Sequence, residues 1–273
     1  MSVKLMSWIL LAAITIALVL LFNYWASYQL LSTLVYAGIV SALVGLANLV
    51  RPFRFMGIRK RAVGLLVLAG GAVLSLAALF WPAGIIHVAQ SRTRLDEIMP
   101  EYQFSETHSA RIHAPRDRVF EAVRQSTFGD MKSLASLLKV RAAVLRLPSN
   151  ESAFLANMRI LEAFGASGYV SGATDNEILM AGGANLIKKG PLRPRTLQEF
   201  ADDREPGVIK IGYNFKVVEA GDGWSTITAE TRMAAPGQYS RGAARYWRLI
   251  VPGSGLLRRQ WLDGIKHRAE SMN

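Results

Sequence analysis

The 273-residue chain contains no cysteine, which excludes a disulfide scaffold and any thiolate-ligated metal centre. Acidic side chains are missing from its entire first third. The first is Asp96, and residues 1–91 carry only six cations, Lys4, Arg51, Arg54, Arg59, Lys60 and Arg61. The formal net charge of +12 therefore divides equally: half belongs to a nearly uncharged third, half to a normally charged remainder holding all 20 acids. A simple soluble protein is excluded. The pI near 10.2 argues poorly for nucleic acid, because half of the excess sits beside apolar runs.

Those runs are Leu5–Phe22, Leu30–Val50 and Ala62–Trp81, each close to the ~20 residues that span a ~30 Å hydrocarbon core as a helix. None contains a charge, and helices buried in soluble domains are rarely apolar on every face. Three transmembrane helices are expected, at about 5–22, 30–50 and 62–81. A signal peptide is the alternative for the first, but Asn23–Gln29 offers no small-x-small cleavage site. The loop after the second run, Arg51–Arg61, has five positive charges and no negative one, so positive-inside bias places it in the cytoplasm. Trp25 and Trp81 then share the outer interface. The chain is expected in the inner (cytoplasmic) membrane, with its C-terminal domain outside the cytoplasm. No ionisable residue lies inside a span, which argues against a proton relay or ion pathway. Gly70-Gly71 and the neighbouring small residues point to close helix packing.

Residues 92–103 read as a linker and 104–273 as one α+β domain. Phe104–Ala114 alternates, with Phe104, Ala110 and Ile112 on one face and Ser105, Thr107, Ser109, Arg111 and His113 on the other. Pro115 suits the first turn of a helix over Arg116–Gln125, and a second helix is expected over Met131–Leu147. Short strands follow at Ser167–Ser171 and Glu177–Ala181, with Gly182-Gly183 and Lys188–Arg195 as loop. Val208–Glu219 and Trp224–Met233 form a hairpin through Ala220–Gly223. A helical tail begins after Pro236-Gly237 and is expected to break at Pro252–Gly255, with Ser254 as N-cap. Its stripes are Ala243, Tyr246, Trp247 and Ile250, then Leu257, Trp261, Ile265 and Ala269.

This order of strand, two helices, antiparallel strands and long C-terminal helix resembles the START/Bet v 1-like superfamily, also called polyketide-cyclase-like or helix-grip. The resemblance covers roughly residues 104–271. It rests on the entry segment Ser109–Val123, with its Ile112-His-Ala-Pro115 and Val119-Phe-Glu-Ala122, on Gly207–Lys216, on Glu230–Arg232 and on Arg245–Arg258. It implies a curved sheet wrapped on the C-terminal helix around an apolar cavity for lipid-like or polyketide-like molecules. No catalytic residue is carried over from it.

The residues themselves offer little chemistry. The four histidines, His87, His108, His113 and His267, have no metal-ligand spacing and read as surface residues. Gly253-Ser-Gly255 lacks the strand and the full motif of a nucleophile elbow. Glu230 and Arg232 share a strand face with Trp224, Thr226 and Thr228. They read either as an ion pair on the outer face or as a head-group anchor, for which a guanidinium fork is suited. The basic stretches Lys188–Arg195 and Arg241–Arg268 read as solvated faces or as contacts for anionic head groups.

The expected function is a membrane-anchored, non-enzymatic domain that binds a hydrophobic small molecule or lipid between sheet and C-terminal helix. The candidate wall is Tyr169, Ile211, Tyr213, Phe215, Ile227, Tyr246 and Trp247, with Arg232 for a head group. No catalytic residue, cofactor, metal or nucleic acid is expected; oligomeric state is left open. Two alternatives stand beside it: a cyclase- or hydratase-like enzyme using Glu230 or His108, and a partner-docking membrane protein with a filled core.

Overall fold

A computed structural model of the chain describes residues 21, 29–50, 61–134, 136 and 156–272. The first apolar run (Leu21 apart), the Arg51–Lys60 loop and most of the helix expected over Met131–Leu147 lie outside these residues. The described chain forms two units, one of residues up to Ala83 plus Arg241–Ser254, the other of Gly84–Ser240 plus Gly255 onward.

In the first unit, helices α1 (Leu30–Val50) and α2 (Arg61–Phe80) pair. Among the described residues these two, rather than three, are long and apolar enough to cross a membrane. Their shared seam is made of small residues at intervals of seven: Gly38 and Gly45 on α1, Gly64, Gly71 and Ala78 on α2. That spacing keeps one narrow face turned to the partner. The approach is tight enough that a Cβ on Gly45 would meet the Leu68 backbone nitrogen at 2.3 Å. Gly71 lies in the seam, whereas Gly70 has nothing within 4 Å. The remaining leucines and valines, Leu43, Leu46, Leu65, Leu66 and Val73 among them, are exposed.

The second unit begins earlier than the sequence indicated. Strand β1 (Ile86–His87) pairs with β2 (Glu101–Tyr102), and between them α3 (Arg94–Ile98) sends Leu95, Ile98 and Met99 into a hydrophobic cluster. The stretch expected as linker is therefore part of the folded unit. Helix α3 starts at Thr93, whose hydroxyl accepts the Asp96 N–H while Asp96 accepts the Thr93 N–H, a capping box.

Next come β3 (Phe104–Ile112), α4 (Arg116–Gln125), a 3₁₀ turn (Phe128–Asp130) and α5 (Ile160–Ala166). They are followed by β4 (Val170–Ala173), β5 (Glu177–Asn185), β6 (Gly190–Leu192), α6 (Leu197–Asp202), β7 (Val208–Gly221), β8 (Trp224–Ala234) and α7 (Ser240–Ser271). Strands β3 to β8 make one six-stranded antiparallel sheet in the order β3-β8-β7-β5-β4, with β6 on β5. The α+β class and the long C-terminal helix stand as expected.

Two loop expectations fail: within Lys188–Arg195, Gly190–Leu192 pairs with β5 as β6, and Gly182-Gly183 is strand as well. Gly182-Gly183 continues β5, and Gly183, at φ 151°, lies so close to β7 that a Cβ would fall 1.9 Å from the Ile209 carbonyl oxygen. Only glycine fits there, so its presence marked a close strand crossing and not a loop. The β7–β8 turn uses positive φ at Gly221, Asp222 and Gly223, beside a register shift at Glu219/Gly221. Helix α7 runs unbroken through Pro252 for 32 residues, so Ser254 is no N-cap. An interior proline costs ~3 kcal/mol. Anchored side chains on either side of it, Trp247 and Arg248 before and Trp261 and Leu262 after, outweigh that cost.

Both faces of the sheet are covered. One face, with Ile112, Ile227, Ala229, Phe215, Val217, Ile178 and Met180, packs against Val119, Phe120 and Val123 of α4 and Trp261, Leu262, Ile265 and Ala269 of α7. The other face buries Leu179 and Ala181 against α3 and Phe200 of α6.

Candidate functional site

The expected site lies between the sheet and α7, and there the structure places an aromatic cluster. Tyr213 and Phe215 project from β7; Phe164 of α5, Tyr169 and Trp261 of α7 close around them. Ring centroids lie 5.0 Å apart for Phe164–Tyr213, 5.0 Å for Phe164–Tyr169 and 4.6 Å for Phe215–Trp261, mostly edge-to-face as ring quadrupoles prefer. The Trp261 indole N–H donates to Ser126 Oγ at 2.8 Å, so its one polar atom is satisfied. Among the described residues, a small cavity beside Tyr213, Phe215 and Trp261 measures about 10 Å³, no more than one water occupies.

Beside this cluster lies a buried polar group that sequence reasoning missed. Strand alternation turns Glu106 and His108 to the same side as Phe104 and Ile112, and both are almost fully enclosed, at 2% and 3% exposure. His108 Nε2 stands 2.9 Å from Glu106 Oε1, and Arg258 of α7 donates to Glu106 Oε2 at 3.1 Å. Arg258 also lies over the Tyr213 ring, 5.8 Å from its centroid. His108 is thus a core residue, not the surface residue expected. The missed signal was the alternation itself, which counts 106 and 108 with 104, 110 and 112 whatever their polarity.

The candidate wall residues separate into three places. Ile211, Tyr213, Phe215 and Ile227 share the α7 side of the sheet, and Tyr169 packs with them. Arg232 is on the opposite side. It donates to Asp96 Oδ1 and to Glu230 Oε1, each at 2.6 Å, and to the Met99 carbonyl, with Tyr102 stacked 4.5 Å from its guanidinium carbon. A side chain so committed is a helix-to-strand ion pair, not a head-group anchor sharing a site with Tyr213. Tyr246 and Trp247 belong to the other unit. Trp247 is buried and donates to Gln29 Oε1 at 2.8 Å, whereas Tyr246 is 57% exposed. Arg248, between Trp247 and Leu249, donates to the carbonyls of Leu79 and Trp81. These are the open carbonyls at the end of α2, where a cation is favoured. The second half of the expected α7 stripe, Trp261, Ile265 and Ala269, is buried against the sheet, whereas in the first half, which belongs to the unit of the apolar helices, Tyr246 is exposed and Arg248 is buried.

The Arg232 face carries a second polar network. Burial alone would raise the Asp96 carboxyl; the backbone N–H of Arg92, the Arg232 guanidinium and Thr93 outweigh it and hold the group below its ordinary value. Glu177 on β5 accepts the Arg94 and Leu95 N–H groups at the start of α3, and Asn214 donates to it at 2.7 Å. Their role is to seat α3 on the sheet.

Among the described residues this unit also has a groove of about 570 Å³ on the same side as α3. Ile98, Val208, Ala234, Ala235 and Pro236 line it, together with Lys210 and Arg204. Lys210 Nζ donates to the Ala201 carbonyl at 2.9 Å and sits 5.1 Å from the Phe200 ring centroid. Among the described residues no cluster of three or more His, Asp or Glu side chains is arranged to hold a metal ion. No family model matches the chain, and neither the curated proteins nor the solved structures include a match.

Proposed function

We propose that the chain is a membrane-anchored, non-enzymatic binding module of the helix-grip kind whose core is filled, so that what it binds is taken up outside the sheet–α7 interface. One observation carries this: among the described residues, Phe164, Tyr169, Tyr213, Phe215 and Trp261 occupy the position of the expected cavity, and the cavity beside them measures about 10 Å³. An acyl chain does not enter such a space, and core packing at this density is the ordinary state of a protein interior. The helix-grip reading draws support from the sheet order, which sets the first strand of the main sheet, β3, beside the last, β8, with a long helix following. Anchorage draws support from α1 and α2, whose outward leucines and valines are costly in water and at home in hydrocarbon. The five cations of Arg51–Arg61 between those helices favour the cytoplasm for that loop. With that orientation the sheet unit lies outside the inner membrane.

A second reading, a cyclase- or hydratase-like enzyme, is favoured by the enclosed Glu106–His108 pair alone; Glu230 is committed to Arg232. The anchored reading is tested by alkaline carbonate extraction of membranes from cells expressing the full chain. Retention in the pellet is the expected result, and release into the supernatant overturns it.

A further inference from the structure

The groove beside α6 has the dimensions of a ligand site. Its volume of about 570 Å³ falls in the ~300–1,000 Å³ range of small-molecule pockets. Most of its wall is apolar: Ile98, Val208, Ala234, Ala235 and Pro236, with Ile85 exposed at the margin. Into this wall β7 delivers one ammonium group. Lys210 lies on the side of the strand opposite Tyr213, above the buried Phe200 ring, and uses one of its three N–H donors on the Ala201 carbonyl. No carboxylate comes within ion-pair distance of it among the described residues.

The carboxylates that border the groove are engaged elsewhere. Glu205 pairs with Lys188 at 2.5 Å and accepts from Asn185, and Glu101 faces His87 at 3.3 Å. Asp203 Oδ1 accepts the Glu205 N–H. Burial first, and the positive charge of Arg204 second, lower Lys210 to about 8, with the Asp203 and Asp202 carboxylates pulling the other way. The amine is still mostly protonated at neutral pH, and among the described residues its charge is met by nearby carboxylates only at a distance, without a direct ion pair. A partly desolvated cation at the edge of an apolar groove has one natural complement, a single negative charge on an apolar body. A phosphate dianion fits less well, since Glu101, Asp203 and Glu205 border the same space and repel two negative charges more strongly than one.

We propose that this groove binds an apolar carboxylic acid, with its hydrocarbon part against Ile98, Val208, Ala235 and Pro236 and its carboxylate on the Lys210 ammonium. The inference deepens the binding-module reading and rests on it, but not on membrane anchorage. The test is pulsed acetylation of the full chain in phosphatidylcholine nanodiscs, read lysine by lysine by mass spectrometry, with millimolar octanoate or octanol as probe. Octanoate slows labelling of Lys210 roughly tenfold while the other lysines keep their rates. Octanol, which enters lipid and apolar grooves without a charge, leaves Lys210 unchanged. Equal protection by both probes, or no selective protection by octanoate, overturns the proposal. A chain that fails this test yet resists carbonate extraction loses the groove assignment alone.

Discussion

Arg258 of α7 donates to the Glu106 carboxylate of β3 at 3.1 Å, and the same carboxylate stands 2.9 Å from His108, all three side chains being buried. This polar bolt holds the C-terminal helix against the first strand of the main sheet. Removing Arg258 takes the guanidinium away from a carboxylate that stays buried in a poorly solvated place. Arg258→Met is expected to destabilise the sheet unit by about 3–5 kcal/mol. Adding Glu106→Gln in the same chain recovers part of that loss. Chemical denaturation followed by tryptophan fluorescence measures both variants.

Trp261 fills the space beneath α7 and satisfies its indole N–H on Ser126. Trp261→Ala leaves a cavity and costs about 3–5 kcal/mol, whereas Trp261→Phe keeps most of the packing and loses chiefly the hydrogen bond, about 1 kcal/mol. The same denaturation curves separate the two. A Trp261→Ala chain that is as stable as the parent contradicts a filled core.

Lys210 gives a pH-dependent signature. Its folded-state value, about 8, lies below the ordinary 10.5, so the unfolded chain binds the proton more tightly. Folding is penalised fully below pH ~8, and the penalty fades as pH rises toward ~10.5. Lys210→Met therefore stabilises the protein near neutral pH, by about 1 kcal/mol once solvent screening is allowed for, and confers no such advantage near pH 10. Melting temperatures of parent and variant at the two pH values provide the check.

The α1–α2 seam is tested by two glycines of one composition and opposite setting. A Cβ at Gly45 meets α2 backbone at 2.3 Å; one at Gly70 meets nothing within 4 Å. Gly45→Val is expected to weaken the helix pair by about 1–3 kcal/mol and Gly70→Val to stay within about 0.5 kcal/mol. Thermal unfolding in nanodiscs resolves the difference.

What could be read before any coordinates was what local periodicity controls. The β7 face of Ile211, Tyr213 and Phe215 and the second α7 stripe of Trp261, Ile265 and Ala269 follow side-chain spacing and hold, whereas Tyr246 of the first stripe is exposed. What escaped depends on partners distant in sequence. Whether Arg232 meets a ligand or Asp96 is decided by where α3 docks, 136 residues earlier. Lys210 depends on nearer partners: it is an ordinary strand lysine until Ala201, nine residues earlier, and Phe200 of α6 pack against it. Polarity also misleads: His108 reads as a surface residue, although the alternation of β3 places it, with Glu106, inside. Glycine and proline misled in the opposite sense. Gly182-Gly183 and Pro252 were read as breaks where close strand approach and strong flanking anchors kept β5 and α7 intact.

The most direct measurement for a membrane-anchored module with an extracytoplasmic sheet unit is a pair of compartment-sensitive reporter fusions, one joined after Arg61 and one after Asn273. The expected result is a cytoplasmic signal for the first and an extracytoplasmic signal for the second. The same compartment for both contradicts the orientation and, with it, the placing of the sheet unit outside the cytoplasm.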